Sequence, residues 1–227
     1  MSYALVVVDM QNDFVSGSLG TPQARAILPG VERRVRQAQA DEDCAQILFT
    51  LDTHGEDYLQ TQEGRNLPVF HCQRGSQGWA LAGQLASLAQ GKAYLLEKGA
   101  FGSTALPNAL LPGLRHVELL GVCTDICVIS NALLLKAHLP ELPLVVNAAL
   151  CAGVTPERHA QALAAMEAFQ IQILMQKAHK RAPANGPGSF LYAKAFARFA
   201  DPKRGLAGRA EKLPLPRLKR SPPNARQ

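Results

Sequence analysis

Asp9, Lys98 and Cys127 bring a carboxylate, a cation and a thiol, each following an apolar run: Val6-Val7-Val8, Leu95-Leu96-Glu97 and Leu119-Leu120-Gly121. A thiol attacks a carbonyl only after a base has taken its proton and a cation has steadied the charge, so these three types meet the needs of covalent catalysis. A second group, Asp52, His54, Glu63 and His71, supplies two imidazoles and two carboxylates, a donor set suited to Zn, Mn or Fe and less to Ca or Mg. Glu56 and Asp57 compete with Glu63 for the acidic position. Each residue also has a plain structural role available: Asp9 can cap a loop, Lys98 can be solvated, Cys127 can serve as a small buried apolar residue, and His71 beside Phe70 can be a core histidine. The convergence carries the argument, since an acid, a cation and a thiol arrive from three different strands.

The elements that must deliver them are short apolar runs at Leu5 to Val8, Gln46 to Leu51, Ala93 to Leu96, His116 to Leu120, Leu142 to Val146 and Ile171 to Met175, which read as six buried strands. Between them, helical spacing covers Val31 to Ala40, Leu81 to Ala89, Ala105 to Leu111, Ile126 to His138 and Pro156 to Phe169. Alternation of this kind predicts an α/β three-layer (α/β/α) domain with a six-stranded, mostly parallel sheet, because parallel neighbours need crossovers long enough for a helix. The carboxyl ends of such strands share one edge, where open α/β sheets bind ligands. Thr155-Pro156-Glu157 opens a helix well, with Thr155 as N-cap and Pro156 at the first position. Gly121 to Val128 reads as a strand-to-helix turn in which Thr124 or Asp125 caps a helix carrying Cys127 in its first turn. That setting favours the thiolate and leaves amides free for an oxyanion.

With 227 residues and 47% hydrophobic composition, the chain suits one well-buried domain. No apolar run approaches the roughly 20 residues that span a bilayer, and no basic region precedes the first apolar segment, so a cytoplasmic protein without a membrane role is expected. Cys44, Cys72, Cys123, Cys127 and Cys151 are odd in number and lack the spacing of a disulfide framework or of a structural zinc site. The net charge of +6 is uneven: residues 177–227 hold 13 Lys and Arg against Asp201 and Glu211, while the rest is mildly acidic. The expected boundaries are therefore a catalytic domain at 1–176 and a basic, Pro/Gly/Ala-rich, disordered tail at 177–227. The tail lacks the aromatic interleaving and motifs of a nucleic-acid arm, so nucleic acid is not an expected partner.

Val7-Val8-Asp9-Met10-Gln11-Asn12-Asp13-Phe14, Glu97-Lys98-Gly99 and Gly121 through Val128 resemble, in order and spacing, the three signatures of the isochorismatase-like cysteine hydrolases, across about residues 3 to 175. Nicotinamidases and pyrazinamidases are the most similar branch. The resemblance implies a triad of Asp9, Lys98 and Cys127, with Cys127 as nucleophile. It also implies a cis peptide between Val122 and Cys123, and an oxyanion hole from the amides of Cys123 and Cys127. Many such proteins carry Ala where Cys123 stands, which adds a second thiol near the site. It further implies one divalent metal, zinc first, on Asp52, His54, Glu63 and His71. Phe14 matches an aromatic against the substrate ring; Phe101 and Trp79 are further candidates for the walls. The activity implied is hydrolysis of a small amide, nicotinamide, to nicotinate and ammonia in NAD salvage, by a homodimer or higher homo-oligomer. Two other readings remain open: a metal-free hydrolase of N-carbamoyl, ureido or isochorismate-like compounds, and a non-enzymatic binding protein whose basic tail docks on polyanions.

Overall fold

The computed structural model describes residues 2–175, so the basic segment and the disorder expected of it lie outside the described residues. Six strands form one sheet: β1 (Tyr3–Val8), β2 (Cys44–Asp52), β3 (Ala93–Lys98), β4 (His116–Val122), β5 (Leu144–Ala152) and β6 (Gln172–Leu174). Their order is β3-β2-β1-β4-β5-β6 and every pairing is parallel, so the sheet is wholly parallel rather than mostly so. The helices are α1 (Asn12–Val15), α2 (Pro22–Ala40), α3 (Gln62–Asn66), α4 (Leu85–Leu88), α5 (Leu106–Ala109), α6 (Ile129–His138) and α7 (Pro156–Ala168). Among the described residues no helix is long and apolar enough to cross a membrane.

The chain winds outward from β1 through β2 to β3, then returns to β4 beside β1 and winds out the other way. Right-handed crossovers therefore place the helices of the two halves on opposite faces. In keeping with this, α2 packs against α1 and α4, while α6 packs against α5 and α7. The winding reverses between β1 and β4, the crevice where such sheets bind ligands. All six residues of β1 are buried, as a central strand covered on both faces requires.

Several elements differ from the sequence reading for local reasons. α2 starts at Pro22, well before Val31, because Thr21 accepts a hydrogen bond from the Ala24 amide and buried Ala24, Val31 and Val35 keep one face in the core. Pro29 is carried inside the helix. The helix expected over Leu81 to Ala89 shrinks to α4, since Gln11 bridges Leu81 and the Ala82 amide bonds the Met10 carbonyl, holding this stretch extended. β5 continues past Val146 to Ala152, with Asn147 donating to Glu118 Oε1 at 2.9 Å. Asn12–Val15 and Gln62–Asn66, too short for a periodic signal, add α1 and α3.

Candidate active site and metal centre

Sheet register brings the reactive residues together. Val8 pairs with Thr50 on one side and Gly121 on the other, and Asp52 pairs directly with Lys98, so four strand tips meet at the winding reversal. Gly121 has φ +120°, and a Cβ there would lie 2.1 Å from the Val8 carbonyl oxygen, so only glycine lets β4 approach β1 this closely. The Val122–Cys123 peptide that follows is cis.

Asp9 leaves β1 with φ 49°, a left-handed conformation that aspartate tolerates better than most residues. Its buried carboxylate accepts from Thr50 Oγ1 at 2.6 Å through Oδ1. Oδ2 lies 2.7 Å from Lys98 Nζ as an ion pair, which leaves this oxygen, not the one held by Thr50, facing the thiol's cationic neighbour. Lys98 Nζ also donates to Asp52 Oδ1 at 3.1 Å and to the Ala100 carbonyl at 3.0 Å, and stands 3.8 Å from Cys127 Sγ. One buried ammonium thus serves two carboxylates and the thiol. Burial works against the Lys98 charge, but Asp9, Cys127 and Asp52 together hold it protonated well above the usual range. Burial raises the pKa of Asp9, with Lys98 opposing it.

At Cys127 burial first, and the Asp9 charge second, push the thiol above its ordinary value, with Lys98 opposing them. The expected caps have other partners: Thr124 Oγ1 bonds His159 Nδ1 at 2.8 Å, and Asp125 Oδ1 accepts from the Val154 amide. Cys127 lies in a π-helical turn, Thr124–Val128, ahead of α6. On either side of it, the Ile126 and Val128 amides both bond the Cys123 carbonyl. Burial also pushes the Cys123 thiol up to about 12.

On the β2 side, one ligand atom from each of Asp52, His54, Glu63 and His71 lies within 4.8 Å of the others. His54 Nε2 is 2.9 Å from Asp52 Oδ2 and 3.9 Å from Glu63 Oε1; His71 Nε2 is 3.5 Å and 3.7 Å from the same two oxygens. Ligands about 2.1 Å from a tetrahedral zinc ion sit about 3.4 Å apart, so the spacing and donor types fit a transition metal. His71 Nδ1 pairs with the Val69 carbonyl at 2.8 Å, which fixes the ring and turns Nε2 inward, as outer partners of metal-binding imidazoles do. The Tyr58 ring packs on both imidazoles, with centroids 4.6 Å from His54 and 5.0 Å from His71. Asp52 is held well below the usual carboxylate range; burial alone would raise it, but His54, His71 and Lys98 outweigh that effect. Its two oxygens link the halves of the site, Oδ1 to Lys98 and Oδ2 to the imidazoles.

A cavity of about 290 Å³ joins these parts: Asp52, Glu63 and His71 line it together with Cys123 and Cys127. Phe14 and Phe101 also line it, and Phe14 meets His71 edge-on at 5.6 Å. Trp79 does not line this cavity; its Nε1 donates to Thr53 Oγ1 at 2.9 Å and braces the loop after β2. Sequence reasoning passed over Gln11, whose side chain bonds the Asp52 amide, the Asp52 carbonyl and the Trp79 carbonyl, and Thr50, which orients Asp9. It also passed over the far rim, Leu19, Thr21, Val154 and Arg158, for which no motif gives a signal.

Residues 3–177 match the isochorismatase domain. The chain belongs to the isochorismatase family. A family protein of Bacillus subtilis strain 168 described as the uncharacterized isochorismatase family protein PncA is 31% identical over 176 residues, covering 72% of this chain and 93% of its own. Among solved family structures, the pyrazinamidase of Pyrococcus horikoshii in complex with zinc is 28% identical with a TM-score of 0.66, covering 77% of this chain and 99% of that one. The nicotinamidase/pyrazinamidase PncA of Bacillus subtilis is 25% identical with a TM-score of 0.67, covering 77% and 100%.

Proposed function

We propose that the protein is a metal-containing cysteine amidohydrolase converting nicotinamide to nicotinate and ammonia, a step of pyridine-nucleotide salvage. The supporting observation is that one cavity meets both Cys127, backed by Lys98 and Asp9, and the Asp52, His54, Glu63 and His71 cluster. Nicotinamide has a reactive carboxamide at one end and a metal-binding ring nitrogen at the other. The relatives named for nicotinamidase and pyrazinamidase activity, one of them in complex with zinc, agree with this reading.

In the proposed mechanism Asp9 Oδ2 takes the Cys127 proton, a transfer that the raised resting pKa of the thiol makes necessary. The sulfur adds to the amide carbon while Lys98 balances the new negative charge and the amides of Cys123 and Cys127 receive the oxyanion. Asp9 returns the proton to the leaving nitrogen, the C–N bond breaks, and ammonia departs. Water, deprotonated by Asp9, then cleaves the thioester and regenerates the thiol. Asp52, His54, Glu63 and His71 would hold a divalent ion such as zinc, which would supply a Lewis acid for the pyridine nitrogen at that end of the cavity. Phe14 and Phe101 flank the ring. The domain at 1–176, a homo-oligomeric assembly and a cytoplasmic setting belong to the same proposal.

The test is ammonia release from nicotinamide by zinc-replete protein, expected in the wild type and lost in Cys127→Ala. Protein that leaves nicotinamide untouched while hydrolysing another amide would remove the substrate assignment.

A further inference from the structure

We infer that Asn131 is a positioning residue: it ties the loop that holds the Lys98 ammonium to the backbone of Cys127, and so fixes the cation against the sulfur. The inference deepens the cysteine-hydrolase reading above and rests on it. Lys98 ends β3 at the edge of the sheet, and Cys127 follows β4, with β2 and β1 between them. At about 4.8 Å per strand, β3 and β4 stand about 14 Å apart, so direct strand pairing does not join the two residues. Yet Lys98 Nζ comes within 3.8 Å of Cys127 Sγ. A long lysine side chain loses much rotamer freedom in reaching that far, and the groups around its tip must hold it there.

Asn131 lies inside α6 with no exposed surface. Asparagine is a poor helix former, and a buried amide costs stability unless its donors and acceptor are bonded. This one is bonded at both ends. Nδ2 donates to the Cys127 carbonyl at 2.8 Å and, at a longer 3.5 Å, to the Phe101 carbonyl, while Oδ1 accepts from the Ser103 amide at 2.9 Å. Between those two loop residues, a Cβ at Gly102 would lie 2.7 Å from Leu134 Cδ1 and 3.1 Å from Ser130 Cβ, so the loop is pressed onto α6. Just before it, the Ala100 carbonyl accepts from Lys98 Nζ at 3.0 Å. Asp9 and Asp52 draw the ammonium toward β1 and β2, and the Ala100 carbonyl is its partner on the loop. A closed path results, running from the Cys127 carbonyl through Asn131, the loop backbone and the Lys98 ammonium back to the Cys127 sulfur. Phe101 lines the cavity, so the same tie fixes that wall. The neighbouring Ser130 makes a simpler bond, from Oγ to the Ile126 carbonyl four residues back at 2.6 Å. A serine at position 131 can copy that bond to the Cys127 carbonyl but is too short to reach the loop.

The experiment follows alkylation of Cys127 by anionic iodoacetate and by neutral iodoacetamide, mapped by peptide mass spectrometry. The ratio of the two rate constants reads the ammonium beside the sulfur, whereas a general loosening of the fold changes both rates together. Asn131→Ala and Asn131→Ser should each lower that ratio by at least about threefold, because the attraction of unit charges in a low-dielectric site is strong and falls with distance. Both should lower kcat for nicotinamide by about tenfold, with KM changed less, as misplaced catalytic groups do. A wild-type ratio in both variants overturns the inference. So does a ratio restored by serine, which would reduce Asn131 to a local helix bond. In the wild type, the Ser103 amide should exchange its hydrogen as slowly as the amides of α6, although it lies in a loop; fast exchange there overturns the inference without calling on any variant to fold. If the wild type does not turn over nicotinamide, the amidase reading fails separately, and the alkylation ratio still decides the role of Asn131.

Discussion

Replacing Lys98 with Met keeps most of the aliphatic stem and deletes the charge that Asp9 depends on. Nζ lies 2.7 Å from Asp9 Oδ2 and 3.1 Å from Asp52 Oδ1, and Asp9 has no exposed surface, so the variant buries an uncompensated carboxylate. Removing one partner of such a pair costs about 3–5 kcal/mol. The sign of the pH effect follows from Asp9. Burial already raises its pKa and Lys98 is what opposes the rise, so without Lys98 the rise grows. A carboxyl whose folded pKa is raised keeps a proton that the unfolded chain has released. Its destabilisation therefore grows as pH climbs from the unfolded value near 3.9 and levels off above the folded one. Urea unfolding of Lys98→Met should show the full deficit at pH 8 and a clearly smaller one at pH 5. Adding Asp9→Asn removes the buried charge and should restore at least half of the loss at pH 8, with no return of activity. A deficit below about 1 kcal/mol, or one equal at both pH values and unrelieved by Asp9→Asn, would refute the reasoning.

Chelated protein should gain thermal stability on adding zinc, by about 2.7 kcal/mol at free metal 100 times the dissociation constant, and His71→Ala should abolish the shift; calorimetric melting with and without zinc checks both. The rate of Cys127 alkylation by iodoacetamide should still be climbing at pH 9, because burial and Asp9 hold the proton on sulfur; a plateau below pH 8, read by peptide mass spectrometry, would mean a lowered thiol pKa instead. Gln11→Leu should cost about 1–3 kcal/mol in urea unfolding, by orphaning the buried Asp52 amide and carbonyl, and should weaken zinc binding by displacing the Asp52 backbone; a variant as stable as wild type would show that the clamp is dispensable.

The strand tips were legible because each reactive residue follows an apolar run, and a wholly parallel sheet leaves one edge for all of them. The metal cluster was legible as a donor set, and the resemblance singled out Glu63 over Glu56 and Asp57; what was not legible is α3, a helix too short for periodicity to reveal, which carries Glu63 to the two imidazoles. The burial of Cys127 beside Asp9, which pushes its thiol up, was not legible because it depends on packing between residues more than a hundred positions apart, which a helix-terminus argument does not weigh. Thr50 and Gln11 carry no reactive group of their own, and their importance lies in hydrogen bonds to residues 41 positions away, which local sequence does not reveal. The start of α2 was hidden by Pro29, a residue that reads as a breaker until the cap at Thr21 and the buried face are seen.

The central claim is that an acyl group passes through the sulfur of Cys127. Wild-type protein quenched in acid during turnover of nicotinamide should carry one nicotinoyl group, mapped to Cys127 by mass spectrometry of its peptides. Nicotinate formed with that sulfur never acylated, together with undiminished turnover by Cys127→Ala, would contradict the account.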